Sequence, residues 1–225
     1  MKIIKIILLI PLIALLAGCN QKQTAGSDNH VTSQTDSTQT ANKKVILFFG
    51  DSLTAGYGLD DESEAFPGVI QNKIDSLKLP YHVVNAGVSG ETSAGGLARI
   101  NWALKNKVDI FVLELGANDG LRGNSVKQTS DNLQAIITTV RTKYPAAKIL
   151  LLGMQVPPSM GQAYAGDFKN MFPQLAQKNH TDLVPFLLDG VGGDPKLNQA
   201  DGIHPTAEGA KIVAGNVWKI LKDEL

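Results

Sequence analysis

The sequence predicts an α/β fold, a three-layer α/β/α sandwich on a five-stranded parallel sheet, and three observations predict it. Short runs rich in branched and aromatic residues alternate with stretches whose apolar residues recur at helical spacing, from residue 45 to the C-terminus. The strand-like runs are predominantly apolar and do not alternate with polar residues, as strands covered on both faces do not. Polar, glycine-rich segments follow them, at the carboxyl ends where such sheets bind ligands.

Residues 1–42 stand apart from this alternation. Lys2 and Lys5 precede a run of twelve apolar residues, 6–17, that contains Pro11 and leads into Gly18 and Cys19. As a helix this run would rise about 18 Å against a hydrocarbon core of roughly 30 Å, too short to span, so residues 1–18 read as a signal peptide. Its end, Leu16-Ala17-Gly18-Cys19, resembles a bacterial lipobox, in which the cysteine is lipidated and becomes the new N-terminus. Cys19 is the sole cysteine, which also excludes an internal disulfide.

Residues 20–42 are mostly Gln, Thr, Ser, Asn and Asp, with one valine and no Phe, Trp or Tyr, a composition that cannot bury enough apolar surface to order itself. These 23 residues read as a tether with an r.m.s. reach of about 25 Å. The expected organisation is therefore a signal peptide at 1–18, a lipidated cysteine and tether at 19–42, and a folded domain at 43–225.

Strands are expected at 45–49, 81–84, 110–115, 149–152 and 183–186, all five buried. Between them Phe66, Val69, Ile70, Ile74 and Leu77 form one helix face, as do Leu97, Ile100 and Leu104, and again Val126, Leu133, Ile136, Ile137 and Val140. A helix around Phe168, Met171, Phe172 and Leu175 is expected to kink at Pro173, and a last one runs over 206–221. The terminal Lys222-Asp223-Glu224-Leu225 matches an endoplasmic reticulum retention signal only by its letters, since a lipobox belongs to a different kind of cell.

Charge narrows the function classes. The chain has 21 basic and 21 acidic residues, and removal of residues 1–18 leaves 19 against 21, a net charge of −2. Nucleic acid is excluded as a partner, because neutralising a phosphate backbone needs a basic surface. Four scattered histidines and one cysteine make no closed zinc site, and neither metal nor cofactor is expected.

Four segments carry chemistry. After the first strand, Gly50-Asp51-Ser52-Leu53-Thr54-Ala55-Gly56-Tyr57-Gly58 puts Ser52 at the start of a helix, near free backbone N–H groups. A serine there is either a reactive hydroxyl or a simple N-cap. Neither glycine-rich phosphate-loop spacing is met, since Gly56 and Gly58 run into Leu59, Asp60 and Asp61. After the second and third strands come Asn85-Ala86-Gly87-Val88-Ser89-Gly90-Glu91-Thr92-Ser93 and Gly116-Ala117-Asn118-Asp119-Gly120, where Gly90 offers a backbone N–H and Asn118 an amide. In Asp201-Gly202-Ile203-His204-Pro205 a carboxylate three residues before a histidine can reach its Nδ1–H and leave Nε2 free as a base.

Taken together and in this order, the blocks GDSLTAGYG, NAGVSGETS, LGANDGLRG and DGIHP resemble those of the SGNH, or GDSL, hydrolases, and among them the bacterial esterase, thioesterase I, arylesterase and lysophospholipase group. The resemblance runs from about residue 45 to the last helix and implies a flavodoxin-like sandwich. It further implies that Ser52 is the nucleophile, His204 its general base and Asp201 the group that orients His204. The oxyanion hole would be the backbone N–H groups of Ser52 and Gly90 and the side-chain amide of Asn118. Asp51 and Asp119 are assigned to holding turns, because a carboxylate beside an oxyanion would repel the developing charge.

The expected activity is hydrolysis of short to medium acyl esters or thioesters through an acyl-enzyme, with a small acyl ester or lipid as substrate. Deacetylation of polysaccharide is the alternative reaction, and a noncatalytic surface-binding module the alternative of another class. Residues 155–166, with Pro157, Pro158, Met160 and Tyr164, form an apolar, partly rigid set that either lines an acyl groove or simply packs the loop. A monomer anchored in the bacterial cell envelope through Cys19 is expected, with the outer membrane facing the periplasm preferred over the inner.

Overall fold

A computed structural model describes residues 43–225, and the signal peptide, Cys19 and the tether expected from the sequence lie outside the described residues. Five parallel strands, β1 (Lys44–Gly50), β2 (Tyr81–Gly87), β3 (Ile110–Glu114), β4 (Lys148–Leu152) and β5 (Asp182–Val184), form one sheet in the order β2-β1-β3-β4-β5. Among the described residues, seven α-helices accompany them: α1 (Ser52–Ala55), α2 (Phe66–Ser76), α3 (Ser93–Ala103), α4 (Ala117–Leu121), α5 (Val126–Lys143), α6 (Gln162–Asn179) and α7 (Ala207–Leu221). Helices α2 and α7 pack together on one face, and α5 packs against α3 and α6 on the other, giving the three-layer sandwich the alternation predicts.

The core forms where apolar sequence meets a central strand. In β1, Ile46, Leu47, Phe48 and Phe49 are all buried, and β3 is buried along its whole length. The two outer strands differ from the expectation of five buried strands. In β2, His82, Val84 and Asn85 are exposed, and β5 is only three residues long, with Asp182 exposed and Pro185 and Phe186 beyond its end. Strand order explains both, because β2 and β5 are the sheet's edges and have a neighbour on one side only.

Helix ends follow local chemistry. The side chains of Thr92, Ser125 and Thr206 accept hydrogen bonds from Gly95, Gln128 and Gly209, capping α3, α5 and α7. Leu77 closes α2 but is 54% exposed, so it is not part of that helix's buried face. Helix α6 runs unbroken through Pro173. The N–H that proline lacks would have served the Lys169 carbonyl, and both residues lie on the exposed face, where water can satisfy it.

The register places the site. Gly50, the last residue of β1, pairs across the sheet with Gly87 of β2 and Glu114 of β3. The first three blocks therefore leave the sheet at one level. Strand order reverses between β1 and β3, and ligands of doubly wound sheets bind at that switch, beyond the carboxyl ends.

Candidate active site

Ser52 is the first residue of α1, directly above β1. The helix is one turn long, and Asp51, not Ser52, caps it: Leu53 N–H donates to Asp51 Oδ1 at 3.0 Å. The serine hydroxyl is thereby left free of capping, and its Oγ lies 2.8 Å from His204 Nε2, bridging 152 positions of sequence. The other ring nitrogen, Nδ1, lies 2.6 Å from Asp201 Oδ2.

Asp201 is fixed in its turn. Its Oδ1 accepts from the N–H groups of Ile203 at 2.9 Å and His204 at 3.0 Å. The hydrogen bond from the His204 ring, reinforced by these two amides, holds its carboxyl down at about 2 although the side chain is 37% exposed. Asp201 is therefore ionised at neutral pH and holds the imidazole with Nε2 facing the serine.

Donors surround Ser52. Among the described residues neither Ser52 N–H nor Gly90 N–H has an acceptor. Gly90 is held with φ +77°, a conformation L side chains rarely adopt, although a Cβ there would meet nothing within 4 Å; the glycine is needed for its backbone, not for space. Arg122, just past α4, donates to the Gly90 carbonyl at 3.0 Å, and Val88 N–H donates to the Gly50 carbonyl at 3.0 Å, fixing the Gly90 loop beside the serine turn. Asn118, in α4, gives one amide hydrogen to Asp51 Oδ2 at 3.1 Å and keeps the other.

Both carboxylates assigned to turns do more than hold a turn. Asp119 accepts from Ser93 N–H and Ser93 Oγ, each at 2.7 Å, and so stitches α4 to α3. Asp51 is completely buried and raised to about 6, first because burial disfavours its charge.

Ser52, Asn118, His204 and Asp51 share the wall of a groove of about 460 Å³, inside the range of roughly 300–1,000 Å³ typical of small-molecule sites. Its remaining wall is mainly apolar, with Leu121, Met154, Val156, Phe186, Leu188 and Ile203. Gly90 is not on this wall but on the loop beside it. Of the 155–166 set, Gln155, Val156, Pro157 and Pro158 line the groove, whereas Met160, half-buried, packs against the core and Tyr164 sits in α6 with its hydroxyl on the Asn124 carbonyl at 2.8 Å. The backbone turns helical at Gln162, which takes Tyr164 out of the loop.

Four residues at the site escape sequence reasoning. Tyr57 stacks on the His204 ring, centroids 4.7 Å apart. Gln199 donates from Nε2 to the Tyr57 carbonyl at 2.7 Å and to that of Pro205 at 3.0 Å, tying the histidine loop to the serine loop. Arg99 of α3 pairs with Glu91, donates to the carbonyls of Gly50 and Ala86 at 3.3 and 2.9 Å, and lies 3.9 Å above the Phe49 ring. Glu114 is fully buried beneath the serine turn, accepting at Oε2 from Asp51 N–H at 3.0 Å and from Thr54 Oγ1 at 2.8 Å. Only Glu114 carries a sequence signal: a carboxylate inside the apolar run Ile110-Phe111-Val112-Leu113-Glu114-Leu115.

A hydroxyl bonded to an imidazole that an ionised carboxylate orients, at the switch of a doubly wound sheet and open to an apolar groove, defines a serine hydrolase. The chain belongs to the GDSL-like lipase/acylhydrolase family, whose model matches residues 48–212, and it is an ester hydrolase. Esterase TesA of Pseudomonas aeruginosa is 42% identical over 186 residues, 82% of this chain and 91% of that protein. Thioesterase 1/protease 1/lysophospholipase L1 of Escherichia coli is 38% identical over 179 residues, 79% of this chain and 83% of that protein. A crystal structure of TesA, 42% identical, covers 81% of this chain and 100% of its own with a TM-score of 0.77.

Proposed function

We propose that the enzyme cleaves carboxylic esters or thioesters of short to medium acyl chains through an acyl-enzyme on Ser52. The observation that carries this reading is the Ser52–His204–Asp201 relay opening on an apolar groove. As Ser52 Oγ attacks the acyl carbon, His204 Nε2 takes its proton, and Asp201 stabilises the imidazolium that forms. The oxyanion is received by the N–H groups of Ser52 and Gly90 and by the Asn118 amide. Collapse expels the alcohol or thiol, to which His204 returns the proton; water then attacks the acyl-serine by the same route. The groove's apolar wall takes the acyl chain, and one chain supplies nucleophile, base and oxyanion donors, which supports a monomeric enzyme that uses no metal or cofactor.

A panel of aryl esters, acyl-CoAs and lysophospholipids of graded chain length, run beside acetylated polysaccharide, tests the reading. Turnover should be greatest on short to medium acyl esters or thioesters and vanish in Ser52→Ala with the thermal midpoint nearly unchanged. Turnover confined to acetylated glycan would overturn it.

For residues 1–42 we infer a lipoprotein signal peptide, lipidation of Cys19 and a tether that keeps the enzyme at the cell envelope, in the outer membrane facing the periplasm. The order of basic, apolar and lipobox residues supports this. Cells fed a labelled fatty acid should label the wild type and not Cys19→Ser; equal labelling would reject the anchor.

A further inference from the structure

Hydrolysis gives the buried Glu114 carboxyl no direct step. Glu114 lies under the nucleophile turn, and three features of its surroundings are unusual. The turn is built to admit it: a Cβ on Gly50 would collide with Thr54 Oγ1 and with the Glu114 carboxyl, so the glycine of the GDSL block makes the room this side chain occupies. Its two oxygens are not equivalent, since Oε2 accepts from Asp51 N–H and Thr54 Oγ1, whereas Oε1 is buried with no donor facing it. And the residue whose N–H its Oε2 accepts, Asp51, is itself completely buried, with its own carboxyl bonded to the Asn118 amide.

Two neighbouring buried carboxylates need a cation or a proton to share their site. The charged groups around them are already placed. From α3, the Arg99 guanidinium is spent on Glu91 and on the carbonyls of Gly50 and Ala86. From α4, Asp119 is engaged by Ser93. From the last loop, His204 faces Ser52 and Asp201. A proton is what remains, and the unpartnered Oε1 is where it fits.

We propose that Glu114 is a positioning residue for the hydrolysis: it stays protonated in the folded enzyme, donates its O–H to Asp51, and through Asp51 holds Asn118 with its amide N–H side toward the pocket. Burial and the neighbouring Asp51 charge both push the Glu114 carboxyl well above the ordinary range, which agrees with this geometry. The pair then carries one negative charge and not two. That charge falls on Asp51, where it selects the N–H₂ side of the Asn118 amide over its oxygen, and the remaining N–H is aimed at the substrate oxyanion. The proton on Glu114 keeps a second charge from facing that oxyanion.

The proposal rests on the oxyanion role of Asn118, and Asn118→Ala tests that role by itself. Two experiments test Glu114. In infrared difference spectra of the wild type against Glu114→Gln at neutral pH, the wild type should show the carbonyl stretch of a protonated carboxyl, and its absence would overturn the proposal even if Asn118 proves essential. In kinetics, Glu114→Gln keeps an acceptor and a donor and should keep kcat close to wild type, whereas Glu114→Leu should lose about 10²-fold in kcat with KM little changed. Asn118→Ala should then cost far less in the Glu114→Leu background than alone, because the amide is already misdirected. A folded Glu114→Gln as slow as Asn118→Ala, or full additivity of the two losses, would refute it. If Glu114→Leu does not fold, the spectra and the glutamine variant still decide.

Discussion

Two aspartates flank the reacting pair, and their surroundings drive them in opposite directions. Asp201, at the end of a long loop, is exposed on one side, accepts three hydrogen bonds and is held at about 2. Asp51, adjacent to Ser52, is completely buried against a second carboxyl and raised to about 6. The same side chain thus serves as a permanent charge that steadies an imidazole in one place, and as one end of a proton-sharing pair in the other. Residue type does not set the role; solvation and donors do.

Breaking the exposed side of this comparison should have the larger effect. Asp201→Asn should lower kcat by on the order of 10³–10⁴-fold, since the amide no longer holds the imidazole in the right tautomer. The thermal midpoint should stay close to wild type, because the loop is exposed; a loss under tenfold in steady-state assays would show that the backbone alone positions His204.

Severing the buried side from the pocket should cost less. Asn118→Ala removes the donor that Asp51 orients and should lower kcat by about 10²–10³-fold, equivalent to about 2.7–4 kcal/mol of barrier, with little change in KM. Gln199→Ala, which unties the histidine loop from the serine loop, should cost about 1 kcal/mol per hydrogen bond lost, or about fivefold in kcat for each.

The smallest effect sharpens the comparison through pH. Asp51 and Glu114 bind protons more tightly in the folded state than in the unfolded chain, so their contribution to stability is full at low pH and is lost as pH rises, for Asp51 between about 3.8 and about 6 and for Glu114 from about 4.5 upward. Asp201 has the opposite sign, and its contribution is lost only as pH falls toward about 2. Calorimetric midpoints of wild type and Glu114→Gln should therefore diverge in favour of the variant as pH is raised, by about 2–4 °C for each kcal/mol. A constant difference from pH 5 to pH 8 would mean that Glu114 does not hold a proton.

Much of this site is legible in the sequence because its parts are local. Ser52, Asn118 and the Asp201–His204 pair sit in short blocks directly after strands or before the last helix, and the sheet register brings the first three blocks to one height. What sequence does not show are the ties between blocks. Gln199 and Tyr57 meet across 142 positions, and Arg99 bridges strands that only tertiary folding aligns. Helix α4 has five residues, too few to show a period, and Pro173 reads as a kink until the exposed face that tolerates it is known. The edge positions of β2 and β5 follow from strand order, which an apolar run alone does not contain.

The most direct test of the central claim, that the buried turn presents Ser52 as a nucleophile activated by His204, is covalent labelling with a fluorophosphonate followed by peptide mass spectrometry. Folded wild type should take up one label, on Ser52, and Ser52→Ala should take up none. No label on folded protein, or label on another residue, would contradict the account.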